Sequence, residues 1–232
     1  SLRSFFVDCH QVQGWTVFEE IQIRQPLKLP IVLSRQEVQK VLQAVREPRL
    51  RVCMTLIYHC GLRVGEAVGI QARDLIESRT PNPRLHVRNG KGGRDRYVPM
   101  SPGMVKQLRE WWSVHRHPEW IFPGPGTGWR ERGYTPVDAA RKATQPMSVS
   151  AVQLTFRMAR AQTGINPAAT VHSLRHSYAT HLLEEGVNLR QISQYLGHQS
   201  LDVTVLYTHL TSISEERTRN ALETLHRPLR GH

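Results

Sequence analysis

The stretch "VHSLRHSYATHLLEEG", Val171 to Gly186, decides how the rest of the chain is read. His172, Arg175 and His176 stand three and four residues apart, ahead of leucines at helical spacing, so all three fall on one stripe of a helix expected over Ser173 to Glu185. Leu174, Tyr178 and Leu182 lie on one flank, and Ala179 and Leu183 continue the cationic stripe. Ser177, Thr180, His181 and Glu184 project to the opposite side, which the pattern assigns to solvent. Gly186 supplies the stop, because glycine takes the left-handed conformation that ends helices. A stripe that is polar in its first turn and apolar beyond it is a buried face whose open end meets something charged. Arginine is always protonated and a helix N-terminus favours negative charge, so the expected guest is an anion. The plainer reading is a capped helix whose first turn lies in water.

The composition agrees with an anionic partner. In 232 residues, 31 Lys and Arg face 19 Asp and Glu, a net charge of +12, which points to a polyanion and to nucleic acid before membrane. The basic residues are spread along the chain, and neither an apolar run of membrane-spanning length nor an apolar signal core is present, which disfavours secretion and membrane insertion. Cys9, Cys53 and Cys60 are odd in number and lack CxxC spacing, so neither a disulfide framework nor a cysteine zinc site is expected. A cytoplasmic protein with no metal and no cofactor is the expectation. The length suits one large core or one domain with part of a neighbour, and a chain starting at Ser1 reads as processed or trimmed.

Outward from the deciding helix, "LSRQEVQKVLQAV" carries Ser34 three residues before Glu37 and apolar residues at helical spacing, a capping box with an amphipathic helix behind it. Leu50 to Cys60 reads as a second helix stopped by Gly61, after which Arg63 starts the next element. "RLHVRNGKGGRDRYVPM" alternates on both sides of a glycine-rich centre, the pattern of a hairpin with Lys91 at its tip. Further helices are expected over Pro102–His115, Ser148–Gln162 and Leu189–Leu196. The Gly-, Pro- and Arg-rich segment between Phe122 and Pro146 reads as a long surface loop. "SISEERTRNALETL" is a last helix with a thin stripe at Ile213, Ala221 and Leu225. The fold class expected is α+β, mainly helical with a small antiparallel hairpin.

Reactive groups gather at the ends of these elements: Arg63, Lys91, His172, Arg175, His198 and Tyr207. Two arginines, a lysine, two histidines and a tyrosine, without a carboxylate pair or metal cluster, suit a phosphodiester. Four motifs in order, "GLRVGEAVGI", "NGKGGRDRYVPM", "HSLRHSYATHLLEEG" and "ISQYLGHQSLDVTVLYTH", make the chain from roughly Leu33 to Leu210 resemble the catalytic domain of the tyrosine recombinases, the integrase family. The resemblance implies that Arg63, Lys91, His172, Arg175, His198 and Tyr207 occupy the catalytic positions and that Glu66 supports the first arginine. His176 is expected to be mainly structural, bonding nearby backbone. The resemblance further implies a division into a remnant of an N-terminal core-binding domain with its linker over 1–33, a catalytic domain over 34–212, and a C-terminal helix over 213–232 for contact between protomers. The thin stripe by itself suits packing in cis against its own domain equally well. Double-stranded DNA, and a homo-oligomer on it that is a tetramer in the synapse, are the implied partners.

The chemistry stands beside the resemblance. A tyrosine hydroxyl attacking a phosphodiester leaves a 3'-phosphotyrosine and a free 5'-hydroxyl, and the retained bond energy makes rejoining independent of ATP. A phenol with a reference pKa of about 10 must lose its proton as it attacks. His172 is the candidate to assist that transfer and Lys91 to protonate the leaving oxygen, roles the resemblance implies. Arg63 and Arg175 would bind non-bridging oxygens, with His198 as a further donor. A zinc enzyme is a poor rival, because the triplet between His172 and His176 lacks the glutamate of HExxH and places Arg175 beside the metal. A non-catalytic DNA-binding module would share the basic surface, and a type IB topoisomerase-like relaxing enzyme would share the nucleophile and the arginines.

Overall fold

In the computed structural model, the capping box read at Ser34 is present: the Glu37 amide donates to Ser34 Oγ (3.2 Å) and the Ser34 amide to Glu37 Oε2 (2.8 Å). It opens α1, Arg35–Ala44. The structure describes residues 30–75, 82–88, 95–126 and 128–198. Expectations for 1–29, for the hairpin tip with Lys91, and for Tyr207 and the 213–232 tail lie outside the described residues.

Helix α2, Pro48–Cys60, starts on a proline that needs no amide partner and ends at Gly61 with φ 60°. Its residues Val52, Cys53, Met54, Leu56, Ile57 and Cys60 are all buried, so it runs through the centre of the core instead of lying on it by one stripe. Short α3, Val64–Val68, follows, then a 3₁₀ turn at Ala72–Asp74. Strands β1 (Arg84–Val87) and β2 (Arg96–Pro99) pair antiparallel with Leu85 opposite Val98, which is the hairpin the alternation predicted. Helices α4 (Pro102–His115), α6 (Val149–Thr163), α7 (Val171–Glu184) and α8 (Leu189–Leu196) complete the mainly helical, α+β architecture. Among the described residues no helix is long and apolar enough to cross a membrane.

Two expectations are corrected. The segment from Phe122 to Pro146 is not merely a surface loop: Pro123–Gly124 (β3) pairs with Gln145–Pro146 (β4), and Pro136–Arg141 forms α5 between them. Phe122, Ala139 and Met147 are buried, and the Met147 amide donates to Phe122 O at 2.7 Å. Two-residue strands and a six-residue helix are too short to display a period, so composition alone hid them.

The second correction concerns α7. Ser177, Thr180 and His181 are buried, not solvent-facing. The helix begins at Val171 and is wedged between α2 and α8, with α1 and α6 also against it. Ser177 and His181 are satisfied locally, while the buried Thr180 hydroxyl finds no hydrogen-bond partner among the described residues. Ser177 Oγ accepts from the Leu33 amide (2.8 Å) and donates to Ser173 O (2.8 Å), and His181 Nδ1 shares a hydrogen bond with Tyr58 Oη (2.8 Å). Period analysis equates polar with exposed, and hydrogen bonds of this kind break that equation. Packing against four helices fixes the backbone that carries His172 and Arg175.

Candidate active site

The chain turns into the site at Gly61. After that left-handed cap, Arg63 is the N-cap of α3 and Glu66 its third residue, and Glu66 Oε2 accepts the Arg63 amide at 2.8 Å. The same carboxylate reaches outward through Oε1, which accepts Arg63 Nη1 at 2.9 Å. Arg96, at the start of β2, meets it edge to edge: Nη1 donates to Oε1 (2.9 Å) and Nη2 to Oε2 (2.7 Å). Arg175 approaches from α7, its Nη1 4.0 Å from Glu66 Oε2. One carboxylate therefore organises three guanidinium groups brought from a helix start, a strand and a central helix. Burial alone would raise the Glu66 pKa, but the hydrogen bonds and charge of Arg96, followed by the bonds from Arg63, outweigh it and hold the group at about 2.

Arg175 is 2 % exposed, unusual for a cation, and it is held by main-chain oxygens. Nη1 donates to Gly61 O (2.6 Å) and Nη2 to Leu196 O (2.7 Å), the carbonyls at the C-terminal ends of α2 and α8. Helix C-termini carry the negative end of the backbone dipole and leave carbonyls without helical partners, so these two ends form a natural seat for a buried cation.

The histidines gather around the same charges. His172 is exposed on the first turn of α7, and its ring meets that of His176 edge to face at 5.0 Å between centroids. Partial desolvation, then the charges of Arg175 and Arg63, lower the His172 pKa against the opposing pull of Glu66. His198 follows the α8 cap at Gly197, where φ is 64° and the His198 amide donates to Ser193 O at 3.1 Å. Burial and the charges of Arg175, Arg63, His176 and Arg96 bring its pKa to about 4. His176 falls to about 4 through burial and its neighbours His172 and Arg175. All three imidazoles are thus neutral at physiological pH inside a field of arginines. That combination offers fixed positive charge and neutral hydrogen-bonding rings, which suits an incoming anion and a proton in transit. A cleft of about 320 Å³ opens beside His172, lined in part by Val64, Phe156, Arg157 and Arg160.

The structure brings Arg63, Glu66, His172, Arg175, His176 and His198 together, while Lys91 and Tyr207 lie outside the described residues. Among the described residues, no group of three or more His, Cys, Asp or Glu side chains could hold a metal ion. Sequence reasoning missed Arg96. Its signal was present: strand alternation places Arg96 on the same face as buried Val98, and a cation on the core side of a strand requires a carboxylate partner.

Comparison with known proteins places these features in one family. The model of the "Phage integrase family" matches residues 32–213. A Sinorhizobium fredii protein named as an integrase/recombinase is 34 % identical over 225 residues, covering 97 % of this chain and 67 % of the relative. Tyrosine recombinase XerA of Pyrococcus horikoshii is 30 % identical over 198 residues, covering 85 % of this chain and 62 % of its own length. This chain therefore spans about two thirds of the length of such relatives. Among solved structures, a lambda integrase tetramer bound to a Holliday junction shares the fold with a TM-score of 0.60 at 21 % identity, covering 84 % of this chain and 54 % of that one. With the arginine and histidine cluster lying inside the matched segment, the chain belongs to the phage integrase family, the tyrosine recombinases of site-specific DNA recombination.

Proposed function

We propose that this chain cuts and rejoins double-stranded DNA through a covalent 3'-phosphotyrosine at Tyr207, as the catalytic part of a site-specific recombinase. The observation that carries the proposal is the Glu66-centred cluster of arginines beside neutral His172 and His198. Arg63, at the mouth of the site, and Arg175, at its floor, stabilise the charge that builds on the non-bridging oxygens as phosphorus becomes five-coordinate. They are preorganised: Arg63 by Glu66, and Arg175 by the Gly61 and Leu196 carbonyls. Little reorganisation is then left for the reaction itself.

In the first step the Tyr207 oxygen bonds to phosphorus, the bond from phosphorus to the 5'-oxygen breaks, and the phenolic proton passes to the neutral His172 ring. The leaving oxygen gains a proton from Lys91. In the second step a 5'-hydroxyl from the partner duplex attacks the phosphotyrosine, the phosphate ester to tyrosine breaks, and both protons return. No bond energy is lost, so the cycle needs no nucleotide.

Residues 34–212 are proposed as the catalytic domain, 1–33 as the end of a core-binding domain with its linker, and 213–232 as a segment that contacts a neighbouring protomer. The tail's stripe at Ile213, Ala221 and Leu225 is too thin to hold a helix alone. A head-to-tail contact of that kind closes into a ring, and four protomers around two duplexes is the assembly proposed. The likeness to a tetramer on a Holliday junction supports it.

The test is covalent capture. Nicked suicide duplexes with randomised cores are incubated with the protein in EDTA, and adducts that survive denaturation are recovered and mapped. Tyr207→Phe should retain duplex binding and yield no adduct. An adduct in the Phe variant, or capture that requires a divalent ion, overturns the mechanism.

A further inference from the structure

We infer that Arg96 is a positioning residue of the reaction, the brace that fixes the Glu66 carboxylate and, through it, the Arg63 guanidinium. The inference rests on the reading of Arg63 as a phosphate ligand.

All three guanidinium nitrogens of Arg96 are committed inside the protein. Nη1 and Nη2 grip the two oxygens of Glu66, and Nε donates to Tyr195 O at 2.7 Å. Its side chain is 9 % exposed, against 26 % for Arg63, so of the two arginines hydrogen-bonded to Glu66 it is Arg63 that is the more open to an incoming strand. From Arg63 the side chain makes a single hydrogen bond to Glu66 Oε1, while its amide holds Oε2 from the backbone. The bidentate pair from Arg96 supplies what these two lack, parallel bonds from one rigid group that define the carboxylate plane.

The same side chain joins three segments that each carry chemistry. Glu66 belongs to the helix that Arg63 starts, Arg96 lies five residues after Lys91 on the hairpin, and Tyr195 lies three residues before His198. On one side the approach to it is close. A Cβ at Gly197 would come within 3.1 Å of Arg96 Cδ and 3.2 Å of its Nη1, so the glycine before His198 lies directly against the brace. Lysine cannot substitute: a single ammonium neither defines a carboxylate plane nor reaches Tyr195 O at the same time.

The experiment compares Arg96→Lys, Arg96→Gln and Arg63→Ala, with the two Arg96 variants also made in the Arg63→Ala background. Binding is measured by gel shift on the duplex recovered by covalent capture, and cleavage by the single-turnover rate of the bound complex. Arg96→Lys, which keeps the charge opposite Glu66, should fold with a melting temperature near the parent's and bind within about threefold. Its cleavage rate should fall on the order of 10- to 100-fold, as expected when a catalytic group is misplaced by up to about 1 Å. In the Arg63→Ala background the same change should cost less than about twofold, because the residue it positions is gone.

Normal cleavage by Arg96→Lys overturns the inference. So does an equal fold-loss in both backgrounds, which would mark an independent contact or a general structural role, and so does a loss confined to binding. If Arg96→Gln fails to fold, Arg96→Lys alone decides. Normal cleavage by Arg63→Ala instead removes the phosphate-ligand reading itself, and the brace with it, so the two failures are told apart.

Discussion

Gly61→Ala is the substitution whose effect the geometry defines best. Gly61 ends α2 with φ 60°, and its carbonyl receives Arg175 Nη1 at 2.6 Å. A methyl group there would overlap Tyr178 Cδ1, lie 2.6 Å from Tyr178 Cε1 and 2.9 Å from Leu196 Cδ2. The backbone contribution is about 1–2 kcal/mol for holding an L-residue in the left-handed region. Overpacking contributes a further roughly 1–3 kcal/mol, because Tyr178 and Leu196 both belong to a buried cluster. Together these destabilise by about 2–5 kcal/mol, which in a domain of this size lowers the melting temperature by roughly 4–20 °C. Gly164→Ala is the internal control, since Gly164 has φ 66° but nothing within 4 Å of an added Cβ. It should show the backbone contribution alone, about 1–2 kcal/mol. Differential scanning calorimetry on both variants separates the two effects. Cleavage should also slow in Gly61→Ala and not in Gly164→Ala, because only the former moves an Arg175 acceptor. Equal melting temperatures for the two variants would refute the reasoning, and so would an unchanged cleavage rate in a destabilised Gly61→Ala.

Three further outcomes follow from ionisation. His172 is held below the ordinary histidine pKa of about 6.5, and a proton acceptor works in its neutral form, so the acid limb of the single-turnover rate should lie below that value; a limb above it would contradict the assignment. The folded-state pKa values of His176 and His198 are about 4, while the unfolded chain protonates near 6.5, so stability is fully present above about pH 6.5 and is lost as pH falls towards 4, which a melting series in that window reads directly. Burial pushes the Cys60 thiol up to about 12 and Cys53 higher still, so alkylation mapped by mass spectrometry at mildly alkaline pH should leave both unmodified in the native chain and label both after denaturation.

Local rules carried far in this chain. The Ser34 capping box, the Gly61 stop, the β1–β2 pairing and the spans of α4, α6 and α8 follow from residues close in sequence, and short-range hydrogen bonds and φ preferences are what such rules describe. Grouping Arg63, Glu66, His172, Arg175 and His198 in one site rested on four ordered motifs, and each member is found within the same electrostatic cluster.

By itself, then, the sequence determined the family and the element boundaries governed by caps and glycines, and it singled out Arg63, Glu66, His172, Arg175 and His198 as residues that would meet. The tertiary structure alone decided where polar side chains point and which of them meet. Ser177, Thr180 and His181 are buried because α1, α2, α6 and α8 surround α7, a circumstance no periodicity along α7 can express. Arg96 meets Glu66 across thirty positions of sequence, and Arg175 finds its two carbonyls 114 and 21 positions away. Charge pairing and carbonyl capping act at a few ångströms in space, and only the folded chain sets those distances.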